Sequence, residues 1–214
     1  MSVCRRPVYV NACAMLNPLG TDLPGIADKL FAGNTGGVKP WSHRVTGREV
    51  YVGAIDAPLP DVPAALSQFA CRNNQLLLHV VDQIKTQLEL LRAKYAPERI
   101  AVILGSSTSG ILEGELAMQK VLADGALPAH YHYRQQEIGT PAIFLRAFLG
   151  LNGPAVTIST ACSSSAKVFA SAKRMLQAGL CDAAIIGGAD SLCKLTVFGF
   201  SSLESVARAW CNPM

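Results

Sequence analysis

The stretch that most constrains this chain is residues 153–165, Gly-Pro-Ala-Val-Thr-Ile-Ser-Thr-Ala-Cys-Ser-Ser-Ser. The breaker pair Gly153-Pro154 precedes the short run Ala-Val-Thr-Ile-Ser, which reads as a buried strand over residues 155–159. Residues 166–179 follow with Ala166, Phe169, Ala170, Met175 and Leu176 in a helical pattern, and Gly179 stands where a C-cap glycine belongs. Cys162 therefore falls at a strand-to-helix turn. A helix N-terminus presents unpaired N–H groups and the positive end of its dipole, an environment that favours a nucleophilic thiolate. Most free cysteines are simply small buried hydrophobes. Here the turn position and the small neighbours Thr160, Ala161 and Ser163 to Ser165 set a second reading level with that one, a nucleophile with room for a carbonyl substrate.

The same alternation of strand and helix runs through the chain. Residues 7–14 read as a first strand, and Asn17-Pro18-Leu19-Gly20 as a turn. Thr21 or Asp22 caps a helix that runs to about Ala32 and stops at Gly33. Gly36-Gly37, Pro40 and Trp41 mark a loop, residues 50–55 a strand, and residues 58–63 a proline-rich connection. Residues 63–95 carry broken helical periodicity. His79, on their apolar stretch, reads as a packed core histidine rather than a ligand. Residues 99–104, Arg-Ile-Ala-Val-Ile-Leu, form the clearest strand. It ends in Gly105-Ser-Ser-Thr-Ser-Gly110, which lacks the Lys-Ser/Thr of a phosphate loop and the spacing of a dinucleotide site. Residues 111–122 are helical, and Thr140-Pro141 opens another helix to Leu149. His130 and His132 alternate in an aromatic loop. With no third ligand in sight they read as exposed loop residues. The last strand is 183–186, followed by Gly187-Gly188. This order indicates an α/β fold with a mostly parallel sheet covered on both faces.

Composition narrows the function. The chain has 214 residues, half of them hydrophobic and 16% charged, enough for a substantial core. Its apolar runs, such as residues 76–81 and 183–186, fall well short of the roughly 18 residues a membrane span needs. The N-terminus lacks a charged-then-apolar signal sequence, so a cytoplasmic location is expected. The seven cysteines (Cys4, Cys13, Cys71, Cys162, Cys181, Cys193 and Cys211) include no Cys-x-x-Cys pair, and the four histidines complete no zinc pattern. Reduced thiols and no metal are expected. A net charge of +4 with scattered basic residues argues against nucleic acid.

Residues 153–165, with Ala183-Ala-Ile-Ile-Gly-Gly-Ala-Asp190, resemble the nucleophile motif and following strand of the β-ketoacyl-acyl carrier protein synthases, elongating condensing enzymes of the thiolase superfamily. Residues 191–206, Ser-Leu-Cys-Lys-Leu-Thr-Val-Phe-Gly-Phe-Ser-Ser-Leu-Glu-Ser-Val, look closest to the branch found in aryl-polyene pigment clusters. The resemblance covers the whole chain. It implies a thiolase-like fold, layered α-β-α-β-α with a mostly parallel mixed sheet, of which residues 1–214 form the N-terminal half. It implies decarboxylative Claisen condensation of an acyl-Cys162 intermediate with malonyl-acyl carrier protein, in fatty acid, aryl-polyene or polyketide synthesis. No cofactor is implied, since the substrates ride on the phosphopantetheine of an acyl carrier protein.

By position, the resemblance places Thr108, Phe200 and Ile138 in the acyl pocket and Arg72 where basic residues receive the carrier protein. Phe200 also reads as plain core, and Arg72 as a solvated surface charge. The resemblance implies a homodimer, or a heterodimer with a chain-length-factor-like paralogue, with residues 131–138 near the partner's active site. The family's catalytic histidines, lysine and second oxyanion donor lie in a second half, so His43, His79, His130 and His132 take no catalytic role. The 214 residues are expected to be a fragment, or to need a complementary chain, and to be inactive alone. The alternatives are a non-catalytic chain-length-factor-like subunit, against which the intact Thr-Ala-Cys-Ser argues, a thiolase-like enzyme acting on coenzyme A thioesters, and a binding module or inactive half-domain.

Overall fold

The computed structural model describes residues 7–43, 45 and 47–211. Cys4 lies outside them. Three parallel strands form the central sheet: β3 (Ile100–Gly105), β4 (Ala155–Ile158) and β5 (Ala183–Gly188), in the order β4-β3-β5. Two further strands, β1 (Val38–Pro40) and β2 (Tyr51–Gly53), make a separate antiparallel pair. The helices are α1 (Leu23–Phe31), α2 (Arg72–Gln83), α3 (Lys85–Lys94), α4 (Ile111–Asp124), α5 (Thr140–Phe148), α6 (Ser164–Gln177) and α7 (Lys194–Ser202).

The central strand shows why the sheet takes helices on both faces. Every residue of β3 is buried. Successive side chains of a strand point to opposite faces. Ile100, Val102 and Leu104 join Leu77, Leu78 and Val81 of α2, Leu88 of α3, and Phe144 and Leu145 of α5 in the larger core. Ala101 and Ile103 face the other way, against Val168 and Ala172 of α6 and Cys181. A third cluster lies apart: Val45, Val50 and Val197, with Trp41, Val52, Leu192 and Val206 around them, seat α7 on the β1–β2 pair.

Local signals hold at several ends. Asp22 caps α1, its carboxylate accepting from Gly25 N at 2.8 Å, and Gly33 follows with φ +67°. The Asn17–Gly20 turn closes with two backbone hydrogen bonds of 3.1 Å. Pro141 sits in the first turn of α5. Gly179, at φ +71°, follows the C-cap of α6.

Four expectations change. Residues 7–14 form no strand. Their end is tied to α2 instead, where Gln83 Nε2 donates to Met15 O at 3.1 Å. No sheet edge meets them, and Tyr9 is 74% exposed. Residues 38–40, read as loop, pair with residues 51–53 because Trp41 N donates to Val50 O at 2.8 Å and closes the hairpin in register. Gly187 and Gly188 lie inside β5 rather than after it, opposite Leu104 and Gly105. β4 reads as a buried strand but is a sheet edge, and Val156 is 44% exposed. No helix of the described residues is long and apolar enough to cross a membrane.

Candidate active site

The ends of β3, β4 and β5 converge on the first turn of α6. Close approach there depends on two glycines that are register partners, Gly105 and Gly188. A Cβ on Gly105 would lie 2.5 Å from the backbone carbon of Ser164. One on Gly188 would lie 2.0 Å from Ser165 Oγ and 2.8 Å from Gly105 O. Bare backbone at both positions lets the helix start directly over the strand ends.

Between β4 and α6 lies Thr160-Ala161-Cys162-Ser163. Ala161 has φ +52°, the left-handed conformation an alanine seldom adopts. The serines of the motif hold it. Ser164 Oγ accepts from Thr160 N at 2.9 Å and donates to Ala161 O at 2.6 Å, and Ser164 N donates to the same carbonyl at 3.1 Å. Ser163 Oγ donates to Thr160 O at 2.9 Å. These hydroxyls absorb polar groups that the tight turn would otherwise strand. Cys162 stands exposed on top of the turn. Helix α6 begins at Ser164, two residues earlier than its apolar periodicity indicates, so Cys162 immediately precedes the helix N-cap, Ser163.

The turn after β3 packs against this one. Thr108 is buried and its hydroxyl is committed. Thr108 Oγ1 donates to Asp190 Oδ1 at 3.0 Å and accepts from Ser191 N at 3.0 Å. Ser107 Oγ donates to Ala161 O at 3.1 Å, which joins the Thr108 turn to the Cys162 turn. Ser109 Oγ donates to Glu137 O at 2.9 Å, bringing the neighbour of half-buried Ile138 onto the same loop.

The other predicted positions come from other segments of the chain. No hydrogen bond, ion pair or ring contact among the described residues joins Phe200, Ile138 or Arg72 to Cys162. Phe200 is 44% exposed on α7. Arg72 opens α2, half-buried, with its guanidinium on Ile55 O and its N–H on Glu113 Oε1 at 2.8 Å. His79 is half-buried, with Nε2 3.1 Å from Thr21 O. His130 is exposed, and His132 Nδ1 accepts from Arg134 N to cap a short 3-10 turn.

Three carboxylates escaped the sequence reading. Glu113 and Glu115 of α4 cap other helices: Glu113 holds the start of α2, and Glu115 accepts from Lys194 N at 2.9 Å and Leu195 N at 2.7 Å at the start of α7. Capping across the fold leaves no local sequence signature. Asp190 is different. It ends the Gly-Gly-Ala-Asp motif, so its place was visible and its partners were not.

The chain matches the family described as beta-ketoacyl synthase, N-terminal domain, over residues 5–213. It is similar to a structure of the ketosynthase ApeO in complex with its chain length factor ApeC from Xenorhabdus doucetiae. The identity is 43% and the TM-score 0.89, covering 95% of this chain and 52% of that one. A beta-ketoacyl synthase from Burkholderia phymatum STM815 is 22% identical with a TM-score of 0.67, covering 87% of this chain and 47% of that one, a likeness of fold. A curated highly reducing polyketide synthase from Didymella fabae is 27% identical over 158 residues, 73% of this chain and 8% of that protein. The chain thus spans about half of each structure and a small part of the curated relative.

Proposed function

The chain belongs to the β-ketoacyl synthase family, and from that premise we propose that it carries the nucleophile of a β-ketoacyl-acyl carrier protein synthase, Cys162. The observation that carries this reading is the exposed thiol on a turn built by Gly105, Gly188 and the motif serines. The Cys162 sulfur attacks the carbonyl of an acyl thioester on a carrier protein and expels the carrier's thiol, leaving an acyl-cysteine. A malonyl thioester then enters. Its C–C bond to the carboxylate breaks, carbon dioxide leaves, and the electron pair stays on the α-carbon as an enolate. That carbon attacks the acyl-cysteine carbonyl and releases the sulfur. The Cys162 N–H serves as one donor to the oxyanion formed at the acyl carbonyl. No cofactor is required beyond the pantetheine that carries each substrate.

The surroundings fit this chemistry. Thr108, Phe200 and Ile138 are proposed to line the acyl chain; in support, Thr108 lies on the turn that Ser107 ties to the Cys162 turn, and Ser109 of the same turn holds Glu137 O beside Ile138. The acyl chain is proposed to be a polyenoyl or saturated fatty acyl group, as in aryl-polyene or fatty acid synthesis. Arg72 is proposed to meet the acidic carrier protein at the start of α2. The partner is proposed to be a second copy or a chain-length-factor-like paralogue. The test is intact mass of the complete protein incubated with an acyl carrier protein thioester. The expected result is one acyl adduct, mapped to Cys162 and absent in Cys162→Ala. An adduct on another residue, or none, overturns the assignment.

A further inference from the structure

The peptide between Ala161 and Cys162 is a single rigid plane: its C=O belongs to Ala161 and its N–H to Cys162, pointing the opposite way. Whatever holds the Ala161 carbonyl therefore aims the Cys162 N–H. Two hydroxyls donate to that carbonyl, Ser164 at 2.6 Å and Ser107 at 3.1 Å, with Ser164 N at 3.1 Å. The oxygens of Ser107 and Ser164 are themselves 3.1 Å apart. Ser164 belongs to α6, but Ser107 reaches in from the loop after β3.

That loop is held by one carboxylate oxygen. Asp190 Oδ1 accepts from Ser107 N at 2.7 Å, Thr108 N at 3.0 Å, Thr108 Oγ1 at 3.0 Å and Ser106 Oγ at 3.3 Å. Ser106 Oγ in turn accepts from Ser109 N at 2.8 Å, across a turn in which Ser109 has φ +43°. Charge-assisted hydrogen bonds to backbone N–H groups are the stronger kind, so a loop of otherwise neutral serines is fixed at one charged point.

We propose that Asp190 and Ser107 are positioning residues: Asp190 fixes the loop, and Ser107 on it holds the Ala161–Cys162 peptide so that the Cys162 N–H points at the developing oxyanion. This rests on the reading of Cys162 as the acyl-accepting nucleophile. A preorganised donor acts only where negative charge develops on a carbonyl oxygen. Attack on a thioester develops that charge. Alkylation by iodoacetamide displaces iodide at a saturated carbon and does not.

The experiment compares the two reactions at Cys162 in the complete protein, by mass spectrometry over time. Ser107→Ala and Asp190→Ala should slow acylation by an acyl carrier protein thioester by about tenfold or more, with alkylation within about twofold of wild type. Ser107→Thr keeps the hydroxyl and should keep most of the acylation rate; Asp190→Asn keeps the acceptor oxygen without its charge and should fall between wild type and Asp190→Ala. Acylation unchanged in the alanine variants overturns the proposal. So does an equal fall in both reactions, the mark of a merely structural role. If the alanine variants fail to fold, Ser107→Val against Ser107→Thr, matched in shape and differing in the hydroxyl, makes the same comparison. A wild-type protein that is alkylated but never acylated overturns the reading of Cys162, and this proposal with it. Acylated wild type with indifferent variants overturns the positioning alone.

Discussion

Cys71, Cys181 and Cys193 are buried, while Cys162 is exposed. Burial disfavours a thiolate, pushing the Cys71 thiol up to about 12 and raising that of Cys181. Brief iodoacetamide treatment of the native protein near neutral pH should label Cys162 and spare Cys71 and Cys181. Peptide mapping checks this, and comparable labelling of Cys71 would contradict it. The glycines beneath the turn make a second prediction. Gly105→Ala drives a Cβ into backbone at 2.5 Å, which cannot swing aside. It should lower the unfolding free energy by about 2–3 kcal/mol and slow acylation of Cys162. Gly199→Ala meets nothing within 4 Å and sits inside α7, so it should be neutral or stabilising by up to about 1 kcal/mol. Urea titrations of both variants decide it. At this scale the sequence spoke clearly about Cys162, since a thiol at a strand-to-helix turn is a local pattern. It was silent on Ser107 and Asp190, because a hydrogen bond spanning 83 residues leaves no local trace.

At the scale of elements, α4 organises its neighbours through two side chains. Glu115 caps α7, so Glu115→Ala should fray that helix at a cost of about 1 kcal/mol. Faster amide exchange at Lys194 and Leu195 is the expected signal; unchanged exchange would show that the cap is idle. Glu113 carries a conflict. Its Oε1 accepts from Arg72 N, but Oε2 is buried with no hydrogen-bond partner, and desolvation raises its pKa above the ordinary carboxylate range. The sign follows from linkage. A carboxyl whose folded pKa is raised contributes stability below its unfolded pKa and loses it as pH rises through the folded one. Glu113→Gln keeps an acceptor for Arg72 N without ionising. Relative to this variant, the wild type should lose stability as pH rises from the unfolded carboxyl's pKa through the raised folded one. Parallel urea curves for the two proteins across that window would refute it. The elements themselves were largely legible, because β3, α5 and α6 announce themselves by composition and breakers. Residues 7–14 were misread because alternation gives strand propensity but no partner edge. α7 was missed because its apolar residues pack on the β1–β2 pair and show little helical periodicity.

At the scale of the molecule, the faces the fold leaves open bear on assembly. Among the described residues, β3 has a strand on each side, while β4 and β5 each have one edge without a strand partner. Val156 of β4 is 44% exposed, Phe169 on the outer face of α6 is 53% exposed, and Tyr133 after the His130–His132 loop is 63% exposed. An unpaired apolar edge is an invitation to pair with another chain, and soluble proteins cover or charge such edges. β4 carries no charged residue to discourage pairing; its sequence is Ala-Val-Thr-Ile. It also leads straight into the Cys162 turn, so whatever covers it stands close to the site. The complete protein should therefore be a two-fold dimer, or a heterodimer with a chain-length-factor-like paralogue, with β4 and residues 131–138 in the interface. Val156→Lys on the β4 edge should weaken that dimer by placing a charge on a strand that the partner covers, twice over if the partner is a second copy. Light scattering of wild type and Val156→Lys at micromolar concentration reads both points. A wild-type monomer, with or without the paralogue, would sink the prediction; a dimer indifferent to the lysine would move its interface away from β4.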